Sequence, residues 1–165
     1  MKTHFRRSIL ASLILGIATL VIVHAQQPKA DEEMNKRGDH VMGFDHTKTT
    51  HHFSLQETGG SIEVTANSSD DVESSEQIRI HLKHIAMMFA EGNFNAPILI
   101  HDQTPPGVPV MQKLKHEIKY DYEEIDRGAA VRISTNNPTA LKAIHDFLRS
   151  QIKEHKTGDS LVVGK

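Results

Sequence analysis

Two stretches of this chain carry the same patterning, and that repeat constrains the fold more than any other feature. In the first, His52-Phe53-Ser54-Leu55-Gln56 and Ser61-Ile62-Glu63-Val64-Thr65 alternate apolar with polar residues, with Thr58-Gly59-Gly60 between them. Period-two runs on either side of a glycine turn predict a β-hairpin. After a polar break at Asn67 to Asp71, Ile78, Leu82, Ile85 and Phe89 recur at helical spacing. A helix is therefore predicted from about Val72 to Ala90, ended near Gly92. In the second stretch, Lys119 to Glu123 alternates with both tyrosines on one face. Asp126-Arg127-Gly128 turns, and Ala129 to Thr135 alternates through Val131 and Ile133. Asn136-Asn137-Pro138 then opens a helix to about His155, with the stripe Leu141, Ile144, Leu148 and Ile152. By pattern, Phe53 corresponds to Tyr120, Leu55 to Tyr122, Ile62 to Val131 and Val64 to Ile133. The expected fold class is α+β, a duplicated β-β-α unit with one antiparallel sheet and both amphipathic helices on one face. The other sheet face is then free for a second copy of the chain or a protein partner.

Between the repeats, Pro97-Ile98-Leu99-Ile100 reads as a short buried strand. His101 to Gly107 reads as irregular, because Pro105 and Pro106 fix φ and remove donors. Pro109 to His116 reads as a short helix. Ahead of the repeats, Lys2, Arg6 and Arg7 precede the uncharged apolar run Ser8 to Val23, and Val23-His24-Ala25 places small residues for a signal peptidase. Residues 1–25 are expected to be an export signal, placing the protein in the periplasm or outside the cell. Membrane contact is expected only if that segment stays uncleaved. Residues 26–48 read as a flexible polar leader in which Val41 to Phe44 docks on the body, 49–159 as a single domain, and 160–165 as a short tail.

Removing the signal leaves 16 Lys and Arg against 21 Asp and Glu, a formal charge of −5. A mildly acidic surface does not suit nucleic acid, which requires clustered Lys and Arg. The chain has no cysteine. Disulfides, thiolate metal sites, cysteine nucleophiles and a lipid anchor after the apolar run are thereby excluded. Phosphate-binding glycine loops, a Gly-x-Ser-x-Gly elbow and a His-Glu-x-x-His motif do not occur in the sequence.

Twelve histidines do occur, ten of them beyond the signal. Imidazole titrates nearest neutral pH and readily binds transition metals. Three constellations stand out. Met42 to His46 followed by Thr49-Thr50-His51-His52 gathers His46, His51 and His52, although adjacent residues on a strand point to opposite faces. His81, His84 and Met88 share one side of the first long helix, where a thioether beside imidazoles would favour Cu(I). His101 and Asp102, beside the rigid prolines, could serve as an acid/base pair. His145-Asp146 is explained more simply by a histidine with a local hydrogen bond.

Several segments together carry a resemblance. They are Met42-Gly43-Phe44-Asp45, Thr49-Thr50-His51-His52-Phe53, Gly59-Gly60-Ser61-Ile62-Glu63-Val64, His84-Ile85-Ala86, Ile100-His101-Asp102 and Pro105-Pro106-Gly107. Over about residues 42–159 the chain resembles a family of small exported bacterial proteins, some of which carry the label aspartate carbamoyltransferase. That transferase is a larger two-domain enzyme with a Ser-Thr-Arg-Thr phosphate motif, whereas here Ser134-Thr135 is followed by Asn136-Asn137. The resemblance implies export and no mechanism.

The leading expectation is an exported binding or interaction domain rather than an enzyme. The alternative is a metal module holding Cu or Zn through some of His46, His51, His52, His81, His84, Met88 and His101. The third is a small hydrolase or lyase using His101 and Asp102.

Overall fold

The computed structural model describes residue 29 and residues 31–164, so the expected signal lies outside the described residues. In chain order the elements are α1 (31–42), β1 (Thr49–Gln56), β2 (Gly59–Ala66), α2 (Val72–Ala90), α3 (Asn95–His101), α4 (Val108–Lys113), β3 (Ile118–Ile125), β4 (Gly128–Thr135) and α5 (Pro138–His155). Single 3-10 turns at His46–Lys48 and Lys115–Glu117 lead into β1 and β3. The strands form one antiparallel sheet in the order β1-β2-β4-β3. The α+β class and its duplicated β-β-α order are as the patterning predicts.

Each long helix begins on a side-chain cap. The Asp71 carboxylate accepts from Ser74 N at 3.0 Å to open α2, and Asn137 Oδ1 accepts from Thr139 N and Ala140 N at 2.8 and 3.1 Å to open α5. Both occupy positions where Asp and Asn satisfy otherwise unpaired helical N–H groups. The predicted stripes are the buried faces, apart from Leu141, which is only half-buried and outside the core. Ile78, Leu82, Ile85 and Phe89 of α2, and Ile144, Leu148 and Ile152 of α5, all join the core. Phe94 stacks on Phe89 with ring centres 4.3 Å apart, and Phe147 meets both rings edge-on. Phe53, Leu55, Ile62, Val64, Val131 and Ile133 face this core from the sheet. The opposite sheet face is open and charged, with Arg132 paired to Glu123 at 2.7 Å and to Glu63 at 3.6 Å, and Lys119 to Asp121 at 2.7 Å.

The register corrects two correspondences, those of Phe53 and, with it, Leu55, which matches Glu124 rather than Tyr122. Phe53 lies opposite Ile62, and Tyr122 opposite Val131. Since Ile62 and Val131 are counterparts, Phe53 matches Tyr122, not Tyr120. The alternation could not reveal this, because a slip of two residues leaves every side chain on its original face. The two-residue links Glu57-Thr58 and Asp126-Arg127 decide it.

Two segments differ in kind from expectation. Pro97 to Ile100 belongs to α3, not to a strand. Asn93 Oδ1 accepts from Asn95 N at 3.0 Å to start the turn, and a four-residue apolar run suits either structure until its flanks decide. His101 ends this helix, and Asp102 follows in the left-handed region at φ 53°. Likewise, 31–42 is a helix rather than a flexible leader. Met34, Gly38 and Met42 recur every four residues and are buried, a narrow stripe within a polar sequence. Arg37 Nε donates to the Ile100 carbonyl at 3.0 Å, and Lys156 pairs with Asp31. The folded unit therefore includes 31–48. Docking of Met42 and Phe44 on the body is as expected, with 8% and 4% of their surface exposed. Beyond α5 the tail runs along the free edge of β1. Phe53 N donates to Asp159 at 2.9 Å and Gly164 N to the Leu55 carbonyl at 2.8 Å, covering an edge that would otherwise offer unpaired groups.

The β2–β4 seam is tight. A Cβ on Gly128 would lie 2.0 Å from the Val64 carbonyl oxygen and 3.0 Å from Thr65 Cα, both backbone atoms. Gly128→Ala is expected to cost about 1–3 kcal/mol, as overpacking does, read as a lower urea midpoint at unchanged slope.

Candidate functional site

β1 is covered by α1 on one side and by the end of α5 on the other, and the side chains meeting there are mostly imidazoles. His51 projects to the covered face of β1. Its ring lies nearly parallel to that of His155, the last residue of α5, with centres 5.4 Å apart and planes 15° apart. His155 in turn meets His101 edge-on at 5.1 Å. On the other flank Phe44 contacts both His51 at 6.1 Å and His81 at 5.6 Å. His51, His81, His101 and His155, far apart in sequence, thus form one band across the end of the core.

Among the described residues the rings of His51, His81 and His155 make no hydrogen bond. Burial among apolar neighbours pushes His51 and His81 down to about 4 and His155 to about 3, with the neighbouring imidazoles adding to the effect. His101 is also lowered by burial, against an opposing hydrogen bond. Its Nε2 donates to Gln151 Oε1 at 3.1 Å, which leaves Nδ1 as a buried acceptor without a partner. Burial thus favours the neutral form of all four rings.

A cavity of about 240 Å³ opens between this band and α1. Met34, Asn35, Gly38 and Met42 line it from α1, His46, Thr49, Thr50 and His51 from the start of β1, and Ile100, His155 and Thr157 from the far side. No charged side chain is among them. His46 is held by Asp39, whose Oδ1 accepts from His46 N at 2.8 Å and lies 2.8 Å from His46 Nδ1. A proton held on Nδ1 by the carboxylate leaves Nε2 with the lone pair. Below the cavity a slot of about 60 Å³, lined by Met42, His51, His81 and His155 among apolar side chains, continues into the core.

The residues singled out from sequence divide sharply. His46, His51, His81 and His101 belong to this region. His52 points to the opposite sheet face and pairs with Asp159 at 2.9 Å, as alternation along β1 requires. His84 is exposed and Met88 half-buried on α2, so the expected His81, His84 and Met88 group does not close on one point. His81 turns inward to Phe44 while His84 faces solvent. The His101 ring engages Gln151 and His155, and the Asp102 carboxylate is exposed on a left-handed residue, so the two do not form a pair. Among the described residues, the only three carboxylate or imidazole groups with ligand atoms mutually within 4.8 Å are Asp39, Asp45 and His46. His155 was not singled out, although Ile144, Leu148, Gln151 and His155 follow one helical stripe. Met34 was missed because its segment is otherwise polar. Comparison of the chain with protein families, curated proteins and solved structures finds no match.

The buried rings set a pH dependence. In the unfolded chain they take up protons as pH falls through about 6.5, but in the folded chain only near 4 for His51 and His81 and near 3 for His155. Protons then bind preferentially to the unfolded state, so stability is greatest above pH 6.5 and declines progressively towards pH 3. The carboxylates of Asp45, Asp71 and Asp159 are lowered by hydrogen bonds to neighbouring groups and add their loss only at the acid end. Urea midpoints at pH 7, 5.5 and 4.5 should fall in that order, with a shallower fall in His155→Phe.

Proposed function

We propose that this chain is an exported binding domain, rather than a catalyst, whose site is the cleft between α1 and the β1 end of the sheet. The observation that carries the reading is a cavity walled by three imidazoles, of which His51 and His155 have no ring hydrogen bond among the described residues and His46 is held by Asp39. His145 offers the contrast. Its Nε2 bridges the carbonyls of Gln56 and Gly59 at 2.9 and 3.0 Å, so the fold itself accounts for it. Export is supported by the N-terminal patterning and by the family resemblance. Among the described residues no helix is long and apolar enough to cross a membrane.

A second reading, a transition-metal module using Cu or Zn, is favoured by a specific observation. Three imidazoles and two thioethers line the same cleft. A second copy or protein partner on the open sheet face would meet the charges of Glu63, Arg132 and Glu123 rather than an apolar surface.

Gly38 gives the test, because it lines the cavity and a Cβ there would meet only the mobile Met42 Cε, at 3.3 Å. Gly38→Leu fills the cleft and should leave stability unchanged or raised by up to about 1 kcal/mol, since glycine is a poor helix former. Histidine ring resonances are followed by NMR against small heteroaromatics, amides, Cu(I) and Zn(II). At least one class should move the His51 and His155 signals in the native chain and leave them unmoved in Gly38→Leu. Equal responses in both proteins, or none in either, would refute the cleft as the site.

A further inference from the structure

Resting on that reading, we infer that the ligand of the cleft is a single soft monovalent metal ion, Cu(I), held by His51 and His155 with the thioethers of Met34 and Met42. The donor chemistry selects the ion. Thioether and imidazole together favour Cu(I), whereas Mg, Ca and Mn require carboxylate, carbonyl or water oxygens. The cavity wall carries no carboxylate, and the chain has no thiolate to offer.

The spacing fits as well. Two imidazoles sharing one ion at a metal–nitrogen distance of about 2.0 Å have ring centres roughly 5–6 Å apart, and His51 and His155 lie at 5.4 Å. Their near-parallel planes require one ring to rotate so that both nitrogens converge. For His155 that rotation exchanges its ring contacts with Phe53 at 5.6 Å and His101 at 5.1 Å for the bond to the ion. Methionine, with three rotatable bonds and a polarisable sulfur, adapts to whatever position the rings leave. His46, held by Asp39 at 2.8 Å, lines the same cavity but stands outside this ligand set. The hard-donor group of Asp39, Asp45 and His46 is a separate arrangement, and the same experiment distinguishes it.

The purified protein is titrated anaerobically against the Cu(I) complex of bicinchoninate, and separately with Zn(II). One Cu(I) per chain should be withdrawn from the chelator. His155→Phe and the paired change Met34→Leu with Met42→Leu should each weaken that affinity at least tenfold, and excess Zn(II) should not displace the copper. The leucine variant matches methionine in volume, so its fold is retained. X-ray absorption of the loaded protein should show sulfur beside nitrogen scatterers, with sulfur lost in the leucine variant. Failure to withdraw Cu(I), affinity unchanged by the leucine pair, or Zn(II) binding that outcompetes copper and depends on Asp45 would each overturn the assignment. Absence of copper binding together with an organic ligand blocked by Gly38→Leu would refute the metal alone and leave the cleft standing. Copper binding insensitive to Gly38→Leu and to His155→Phe would refute both.

Discussion

The pairing of β2 with β4 is the contact on which everything else depends. It is where the two halves of the sheet join, and at its centre Ile62 lies opposite its own counterpart, Val131. A local pseudo-two-fold axis therefore passes between those two residues. A hairpin with a single helix is marginal on its own, and here the helices are also exchanged. α2 follows β2 but packs mainly on β4 and β3, whereas α5 follows β4 and packs on β1 as well as β2 and β4. Each half thus supplies the cover for the other, and neither has a core until the seam forms.

Symmetry in the framework makes the asymmetry of the site easier to see. With the register fixed, the counterpart of His51 is Tyr120. Both lie half-buried on the covered sheet face, one residue pair outward from Phe53 and Tyr122. Tyr120 packs edge-on against Phe89 at 5.9 Å with a buried, unpartnered hydroxyl whose ionisation burial disfavours. His51 instead has α1 over it and His155 beside it. What distinguishes the two ends of the sheet is therefore the added helix and the tail, both of which lie against β1 and not β3.

The elements legible in the sequence were those whose periodicity matched a whole buried face. Both hairpins and both long helices are of that kind, because a single packed core imposes period two on strands and 3.6 on helices. α3 was not legible, since Pro97 to Ile100 is too short for either period to show. α1 was missed because its stripe consists of two methionines and a glycine in a charged segment. The separation of His51 from His52 could be read from strand geometry alone. The meeting of His51 with His155 could not, because it depends on how α5 crosses β1, which no local spacing encodes. His155 was not singled out, although it extends the stripe of α5 through Leu148 and Gln151 past the point where apolar residues end.

Histidine abundance by itself says little about function here, because the same side chain is used in three different ways. His145 is saturated by two carbonyls and fastens the β1–β2 turn to α5. His52 pins the tail to the strand edge through Asp159, in solvent. His51, His81 and His155 are half-buried with no ring hydrogen bond among the described residues, and their apolar surroundings lower their proton affinity. The first two kinds stabilise the fold by ordinary hydrogen bonding. The third lowers stability as pH falls, through proton uptake on unfolding. Tyr120 and His101 also hold buried polar atoms without partners, so unsatisfied groups are not confined to one place; what sets the cleft beneath α1 apart is that imidazoles from β1 and the end of α5 meet there beside a cavity.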